Sequence, residues 1–154
     1  MIEEGKPAPD FELKSDSGET IKLSELRGKP VVLYFYPKDD TPGCTLEGRE
    51  FTALLDGFRA AGVGVYGVSP DSPRSHERFA AKCELGVSLV SDPEHVLIEA
   101  LGLWVEKSMY GRTYKGVERS TFLIGENGEV EREWRAVKAA GHASEVLEAV
   151  RPAV

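Results

Sequence analysis

Cysteine is scarce in this chain: only Cys44 and Cys83 occur among 154 residues. Two cysteines cannot build a disulfide-stapled scaffold. Histidine is scarce too, with three in the chain. His76, His95 and His142 show no metal-binding spacing with one another or with the cysteines, so no metal is expected. Positive charge is in deficit, with 19 Lys and Arg against 26 Asp and Glu and a net charge of −7. That argues against nucleic acid as a partner, because phosphate binding needs a positive field. No apolar run reaches membrane-spanning length, so no membrane partner is expected either. The N-terminal run Met1-Ile2-Glu3-Glu4-Gly5-Lys6-Pro7 lacks the basic and apolar regions of a secretory signal. A cytoplasmic location is therefore expected, and in that compartment cysteines are more often reactive than permanently bridged. Linkers, repeats and low-complexity segments are lacking too, so residues 1–154 are read as one domain, long enough to bury a core without staples.

What is present is a regular alternation of strand and helix signals. Asp10 to Leu13 and Thr20 to Leu23 flank the turn residues Ser15-Asp16-Ser17-Gly18 and predict an N-terminal hairpin, followed by one helical turn over Ser24 to Gly28. Val31 to Tyr36 is β-branched and aromatic, as a central strand should be. A helix is predicted from Pro42 to about Ala61, with Phe51, Leu54, Leu55 and Phe58 at spacings of three and four and Gly62 placed to end it. Val63 to Ser69 predicts a strand, Ser75 to Cys83 a helix and Ser88 to Val90 a short strand. A helix from Pro93-Glu94 to near Gly102 comes next. Ser120 to Ile124 and Val130 to Trp134 flank Gly125-Glu126-Asn127-Gly128, a hairpin signal, and Ala143 to Val150 predicts the last helix. A βαβ start with an antiparallel end implies an α/β fold, with a mixed central sheet flanked by helices.

The candidate reactive group is Cys44, in Tyr36-Pro37-Lys38-Asp39-Asp40-Thr41-Pro42-Gly43-Cys44-Thr45 between the central strand and its helix. Pro42 suits the first helical position, Thr41 the N-cap and Cys44 the third helical position. There, unpaired N–H groups and the positive end of the helix dipole favour an anion, and the thiolate is the nucleophilic form of cysteine. An ordinary thiol of pKa ~8.5 is ~3 % ionised at pH 7. Full ionisation therefore gains roughly 30-fold, about 2 kcal/mol. A thiol enzyme needs more: donors aimed at the charge that develops in the transition state. Gly43 would leave backbone N–H groups uncovered, Thr41 can supply a hydroxyl, and a cation must come from elsewhere in the fold.

Pro37, Thr41 and Cys44 match the signature P-x-x-x-T-x-x-C of the peroxiredoxins. The run from Phe35 to Thr45 resembles their bacterioferritin comigratory protein (PrxQ) subfamily. Gly5-Lys6-Pro7-Ala8-Pro9-Asp10-Phe11, Val68-Ser69-Pro70-Asp71-Ser72, Ser91-Asp92-Pro93 and Glu118-Arg119-Ser120-Thr121-Phe122-Leu123-Ile124 resemble further segments of that subfamily in the same order. The resemblance implies a thioredoxin-like fold and a thiol peroxidase that needs no metal, haem or flavin. It implies that Cys44 attacks a hydroperoxide and becomes a sulfenic acid, that Thr41 hydrogen-bonds the peroxide, that Arg119 polarises it and that Pro37 shields the thiolate. Substrate binding then falls to Thr41, Gly43 and Arg119. Thioredoxin or a similar dithiol protein is the implied reductant, and a monomer is a common state in the subfamily.

Cys83 has two readings. Many members resolve the sulfenic acid with a cysteine five positions on, but here that position is Arg49. Others carry the resolving cysteine in the next helix, where Cys83 lies. Alternatively, Cys83 shares a helical face with Phe79 and is simply a small core residue. A one-cysteine peroxidase with an external thiol and a peroxide-sensing relay stay open as alternatives. A thioredoxin-like disulfide reductase is disfavoured, since the chain has no C-x-x-C and Arg119-Ser120-Thr121 holds no proline. Asp39 and Asp40 are expected to face apart in a solvated turn, and Trp104 and Trp134 to be packing residues.

Overall fold

The computed structural model describes residues 4–151. Strands β1 (Glu12–Lys14) and β2 (Thr20–Lys22) form the expected antiparallel hairpin, and a 3-10 turn over Leu23–Leu26 follows. The apolar run then forms β3 (Val31–Phe35), buried at every residue. It is the middle of five strands. Parallel β4 (Gly64–Ser69) and β5 (Ser88–Ser91) lie on one side, with β8 (Ser120–Ile124) and β9 (Val130–Trp134) antiparallel on the other, in the order β5-β4-β3-β8-β9. This is the mixed sheet the sequence implied.

Alternation along β3 builds two cores, because successive side chains of a strand point to opposite faces. Val32, Tyr34 and Tyr36 pack with Phe51, Phe58, Phe79, Val146 and Leu147. Those residues come from α1 (Pro42–Ala53), α2 (Leu55–Ala60), α3 (Pro73–Cys83) and α5 (His142–Val150). Val31, Leu33 and Phe35 pack on the other face with Phe11, Leu97 and Ile98, the last two from α4 (Val96–Ala100). Tyr34 and Phe51 stack with ring centroids 4.4 Å apart. Burying a side chain such as Phe51 stabilises the fold by roughly 1.5–3 kcal/mol. Gly67 has no alternative beneath Tyr34, since a Cβ there would lie 2.7 Å from the ring.

Two expectations need correction, and one hairpin was not expected. The predicted helix over 42–61 is two helices, broken at Leu54, whose backbone leaves the helical range at φ −101°, ψ 4°. The Leu54 N–H is shared between the carbonyls of Glu50 and Phe51 at 3.2 Å each, and the second segment lays Gly57 against Leu147 of α5. A hairpin absent from the sequence reading, β6 (Trp104–Met109) with β7 (Arg112–Val117), turns at Tyr110 and Gly111, both at positive φ. Most of its residues are exposed, so no apolar alternation announced it. The helix expected from Pro93 to Gly102 is only α4, which starts after His95 in a left-handed cap conformation.

Topology places the candidate site. Phe35 pairs with Ser120 in the antiparallel register of β3 and β8. Arg119, the residue before Ser120, therefore sits at the carboxyl end of the central strand, where the loop towards Cys44 begins. The Arg119 carbonyl accepts from Val137 N–H at 2.9 Å, which fixes this corner of the backbone.

Candidate active site

Pro42 opens α1 and Thr41 is its N-cap residue, in extended conformation, so Cys44 does fall at the third helical position. The cap itself differs from expectation. The Thr41 hydroxyl makes no bond to the helix N-terminus; it donates to the Lys38 carbonyl at 2.9 Å. The first helical bond is Thr45 N–H to Thr41 O, at 2.8 Å. Pro42 has no N–H, so the N–H groups of Gly43 and Cys44 are the ones an anion at this terminus would meet.

Cys44 is 2 % exposed. Arg119 reaches it across 75 positions of sequence and donates from Nη2 to Sγ at 3.4 Å. The same guanidinium donates from Nη1 to Oε1 of Glu47 at 2.6 Å. Gly43 makes room for this arrangement: a Cβ there would stand 3.1 Å from Nη2 of Arg119. Burial would lower the Arg119 pKa, but the charges of Glu47 and Cys44 more than offset it and raise it. Arg119 therefore remains a cation throughout. Pro37 follows the central strand and is half-buried. The structure thus brings Thr41, Gly43, Cys44 and Arg119 to one corner.

Glu47 was missed by sequence reading. It lies three positions after Cys44 on α1, hence on the same helical face, and that spacing was the available signal. Its side chain has no exposure. Burial pushes its carboxyl up to about 7, and the Arg119 guanidinium pulls back only part of that rise. Its Oε2 is buried with no hydrogen-bond partner among the described residues. Lys107 on β6, also missed, adds positive charge to the same field. Burial first and Arg119 second lower its pKa, while Cys44 acts in the opposite sense.

The Glu47 shift makes a prediction. An unfolded glutamate loses its proton near pH 4.5, the folded one near 7. Between these values the native state holds more protons than the unfolded state, so stability falls as pH rises. The loss contributed by Glu47 is about 3 kcal/mol at most, complete above pH 7. Glu47→Gln should flatten the pH dependence of the denaturant midpoint between pH 4.5 and 7. Equal slopes in both proteins would show that Glu47 is ionised throughout.

Cys83 ends α3, is 6 % exposed and belongs to the same core cluster as Cys44; both thiols are free. The expectation for Asp39 and Asp40 is half right. Asp40 is exposed, at φ 58°, and pairs with Lys82 at 2.8 Å. Asp39 is buried instead of solvated. It accepts from Tyr36 Oη at 2.6 Å and Ser75 Oγ at 2.8 Å and lies 2.7 Å from Nδ1 of His76. Asp39, Asp71 and His76 do bring three potential metal-ligand atoms within 4.8 Å of one another, a grouping the sequence spacing did not suggest. Those atoms are occupied by hydrogen bonds, with Asp71 Oδ2 accepting from Asp39 N–H at 2.8 Å and Ser69 Oγ at 2.7 Å. Trp104 stacks on His95, and Arg132 lies over Trp134, consistent with packing.

A five-stranded mixed sheet with a cysteine at the helix start after its central strand defines the class of thioredoxin-fold thiol enzymes. Within it, residues 5–133 match the AhpC/TSA family; the chain belongs to that family and is a peroxiredoxin, a thiol peroxidase acting on peroxides. It is 48 % identical to Peroxiredoxin Bcp of Bacillus subtilis over 150 residues, covering 97 % of this chain and 96 % of that one. The crystal structure of a PrxQ mutant from Xylella fastidiosa superposes with a TM-score of 0.92 at 40 % identity, covering 97 % and 96 % of the two chains. The bacterioferritin comigratory protein of Xanthomonas campestris, solved in a study of its alkyl peroxide reduction activity, gives 0.89 at 44 % identity over 96 % and 97 %. The PrxQ of that organism has been solved as cysteine-to-serine mutants at its positions 48 and 84, which are 84 − 48 = 36 apart.

Proposed function

We propose that Cys44 is the peroxidatic cysteine of a two-cysteine PrxQ-type peroxidase acting on hydrogen peroxide and organic hydroperoxides. The observation that carries this reading is the 3.4 Å contact from the Arg119 guanidinium to Cys44 Sγ at the start of α1. The Cys44 thiolate attacks the terminal oxygen of the hydroperoxide, the O–O bond breaks, and the leaving alkoxide takes a proton. Negative charge moves from sulfur to the leaving oxygen in this step. Arg119 stands beside the start of that path, and the Gly43 and Cys44 N–H groups are positioned to bind the peroxide oxygens. Thr41 has its own proton committed to Lys38, so its oxygen offers a lone pair to the peroxide hydroxyl and orients it. Pro37 covers the approach of water.

The product is a Cys44 sulfenic acid. In this reading the Cys83 thiol attacks it, water leaves, and a disulfide forms. A dithiol protein such as thioredoxin then returns two electrons. No metal, haem or flavin takes part. We read residues 1–154 as one domain working as a monomer in a reducing, cytoplasmic setting. Among the described residues, no helix is long and apolar enough to cross a membrane. The cysteines here are 83 − 44 = 39 positions apart, three more than the mutated pair of the Xanthomonas protein, close to one helical turn. Intact mass after one equivalent of peroxide tests the scheme. Loss of two hydrogens supports the internal disulfide, while a stable gain of one oxygen leaves Cys44 unresolved and returns the one-cysteine alternative.

Thr41→Val separates orientation from capping. Because the hydroxyl makes no cap bond, stability should fall by only about 1 kcal/mol for the lost bond to Lys38. The peroxide step should slow by about 100-fold or more. Stopped-flow peroxide kinetics beside a thermal melt decide it, and an unchanged rate would remove Thr41 from the site.

A further inference from the structure

The two carboxylates before Cys44 both reach α3, the helix that ends at Cys83. Asp40 pairs with Lys82 at the helix's last turn, but that pair is exposed, 51 % and 67 %, and such pairs contribute little. Asp39 is different. Its side chain is 4 % exposed and that of His76 is fully buried. Oδ1 accepts from Tyr36 at the end of the central strand, while Oδ2 meets Ser75 and His76 in the first turn of α3. His76 Nε2 lies 3.1 Å from the Val90 carbonyl, which can only accept, so Nε2 carries hydrogen. One further proton must then lie between Nδ1 and Oδ2 to support their 2.7 Å contact. Tyr36, Ser75 and His76 thus converge on one nearly buried carboxylate.

We propose that Asp39 is a positioning residue that clamps the Pro37–Thr41 loop to α3 and sets how often the Cys83 helix opens towards Cys44. The inference rests on the reading of Cys83 as resolving thiol. Cys44 begins one helix and Cys83 ends another; in this proposal they join when α3 leaves its seat as a unit, which breaks the Asp39 bonds at its first turn. The clamp affects the two half-reactions unequally. Peroxide attack uses the closed form, which is already the dominant one, so weakening the clamp changes its population little. Disulfide formation uses the open form, a minor state whose population rises in proportion to the loss of clamp energy. Asp39 thus lengthens the life of the sulfenic acid, during which a second peroxide can oxidise it further.

Asp39→Asn tests this. Asparagine has one acceptor oxygen where Asp39 uses two, so its amide must face Tyr36 or the pair Ser75 and His76. Disulfide formation should accelerate roughly 10- to 100-fold, the weight of one charge-assisted hydrogen bond, while the peroxide step stays within about threefold. Sulfinic acid at high peroxide should fall, and amides of residues 75–83 should exchange faster in the reduced protein. Ser75→Ala, which removes one bond at a half-exposed site, should show the same signs with smaller size and a melt near that of the wild type. A merely structural role would slow both steps, or leave the disulfide rate and amide exchange unchanged; either result overturns the clamp. If the wild type forms no Cys44–Cys83 disulfide, the resolving role fails, and amide exchange alone judges Asp39. Faster exchange of α3 then supports the clamp, and unchanged exchange rejects it.

Discussion

Cys44→Ser should reduce peroxide turnover below detection while the protein still folds. A hydroxyl is a weak nucleophile without a base to activate it, and among the described residues the side chain bonded to Sγ is a guanidinium, which cannot accept a proton; the nearby Glu47 carboxylate is bonded to that guanidinium. Geometry therefore offers serine no route to the alkoxide. The fold should survive, because the exchange replaces one sulfur by oxygen at a position where Arg119 can still donate. An expected stability loss of about 1 kcal/mol is ordinary for a point substitution. Peroxide consumption and a denaturant midpoint, measured on the same preparation, check both halves. Activity within a few-fold of wild type would mean that another group carries the chemistry, and Cys83 would then be the first to test.

Much of this was legible in the sequence for a local reason. Val31 to Phe35 is apolar throughout, so it reads as a central strand, and Pro42 after Thr41 marks the start of a helix whatever surrounds it. Cys44 follows from those two signals. What was not legible depends on partners distant in sequence. Asp39 and Asp40 do face apart, although Asp40 lies in a left-handed turn and not on an extended segment. Whether the inward one meets water or His76 is decided by helix α3, 37 positions on. Thr41 has an N-cap backbone, yet its hydroxyl turned to Lys38, a choice that backbone position alone does not determine. The break at Leu54 is invisible because Phe51, Leu54, Leu55 and Phe58 keep helical spacing across it. The β6–β7 hairpin is exposed on most of its length and lacks the alternation that burial imposes elsewhere. Glu47 was readable in principle, three positions after Cys44. A glutamate on a helix is ordinarily solvated, and the position of Arg119 gives this one a buried partner.

Cys83→Ser should uncouple the two halves of the cycle. The variant should still consume one equivalent of peroxide, because Cys44, Arg119 and the start of α1 are untouched. It should then stop, failing to turn over with thioredoxin as reductant, and accumulate the Cys44 sulfenic acid and its sulfinic product. Both thiols are nearly inaccessible in the folded protein, 2 % and 6 % exposed, so a reductant cannot replace Cys83 without the same local opening. A disulfide needs Cα atoms within about 7 Å. α3 suits the necessary movement: it is a helix of 11 residues that ends at Cys83 itself, with Glu84 following in a left-handed conformation at φ 53°, and a short element of this kind can open as one cooperative unit. Oxidised wild-type protein should therefore have lower helicity and faster amide exchange near both cysteines. Peptide mapping with thiols blocked before digestion gives the decision. A Cys44–Cys83 peptide establishes the pairing. A free Cys83 beside an oxidised Cys44, together with full turnover in Cys83→Ser, would make Cys83 a core residue packed beside Phe79 and leave resolution to an external thiol.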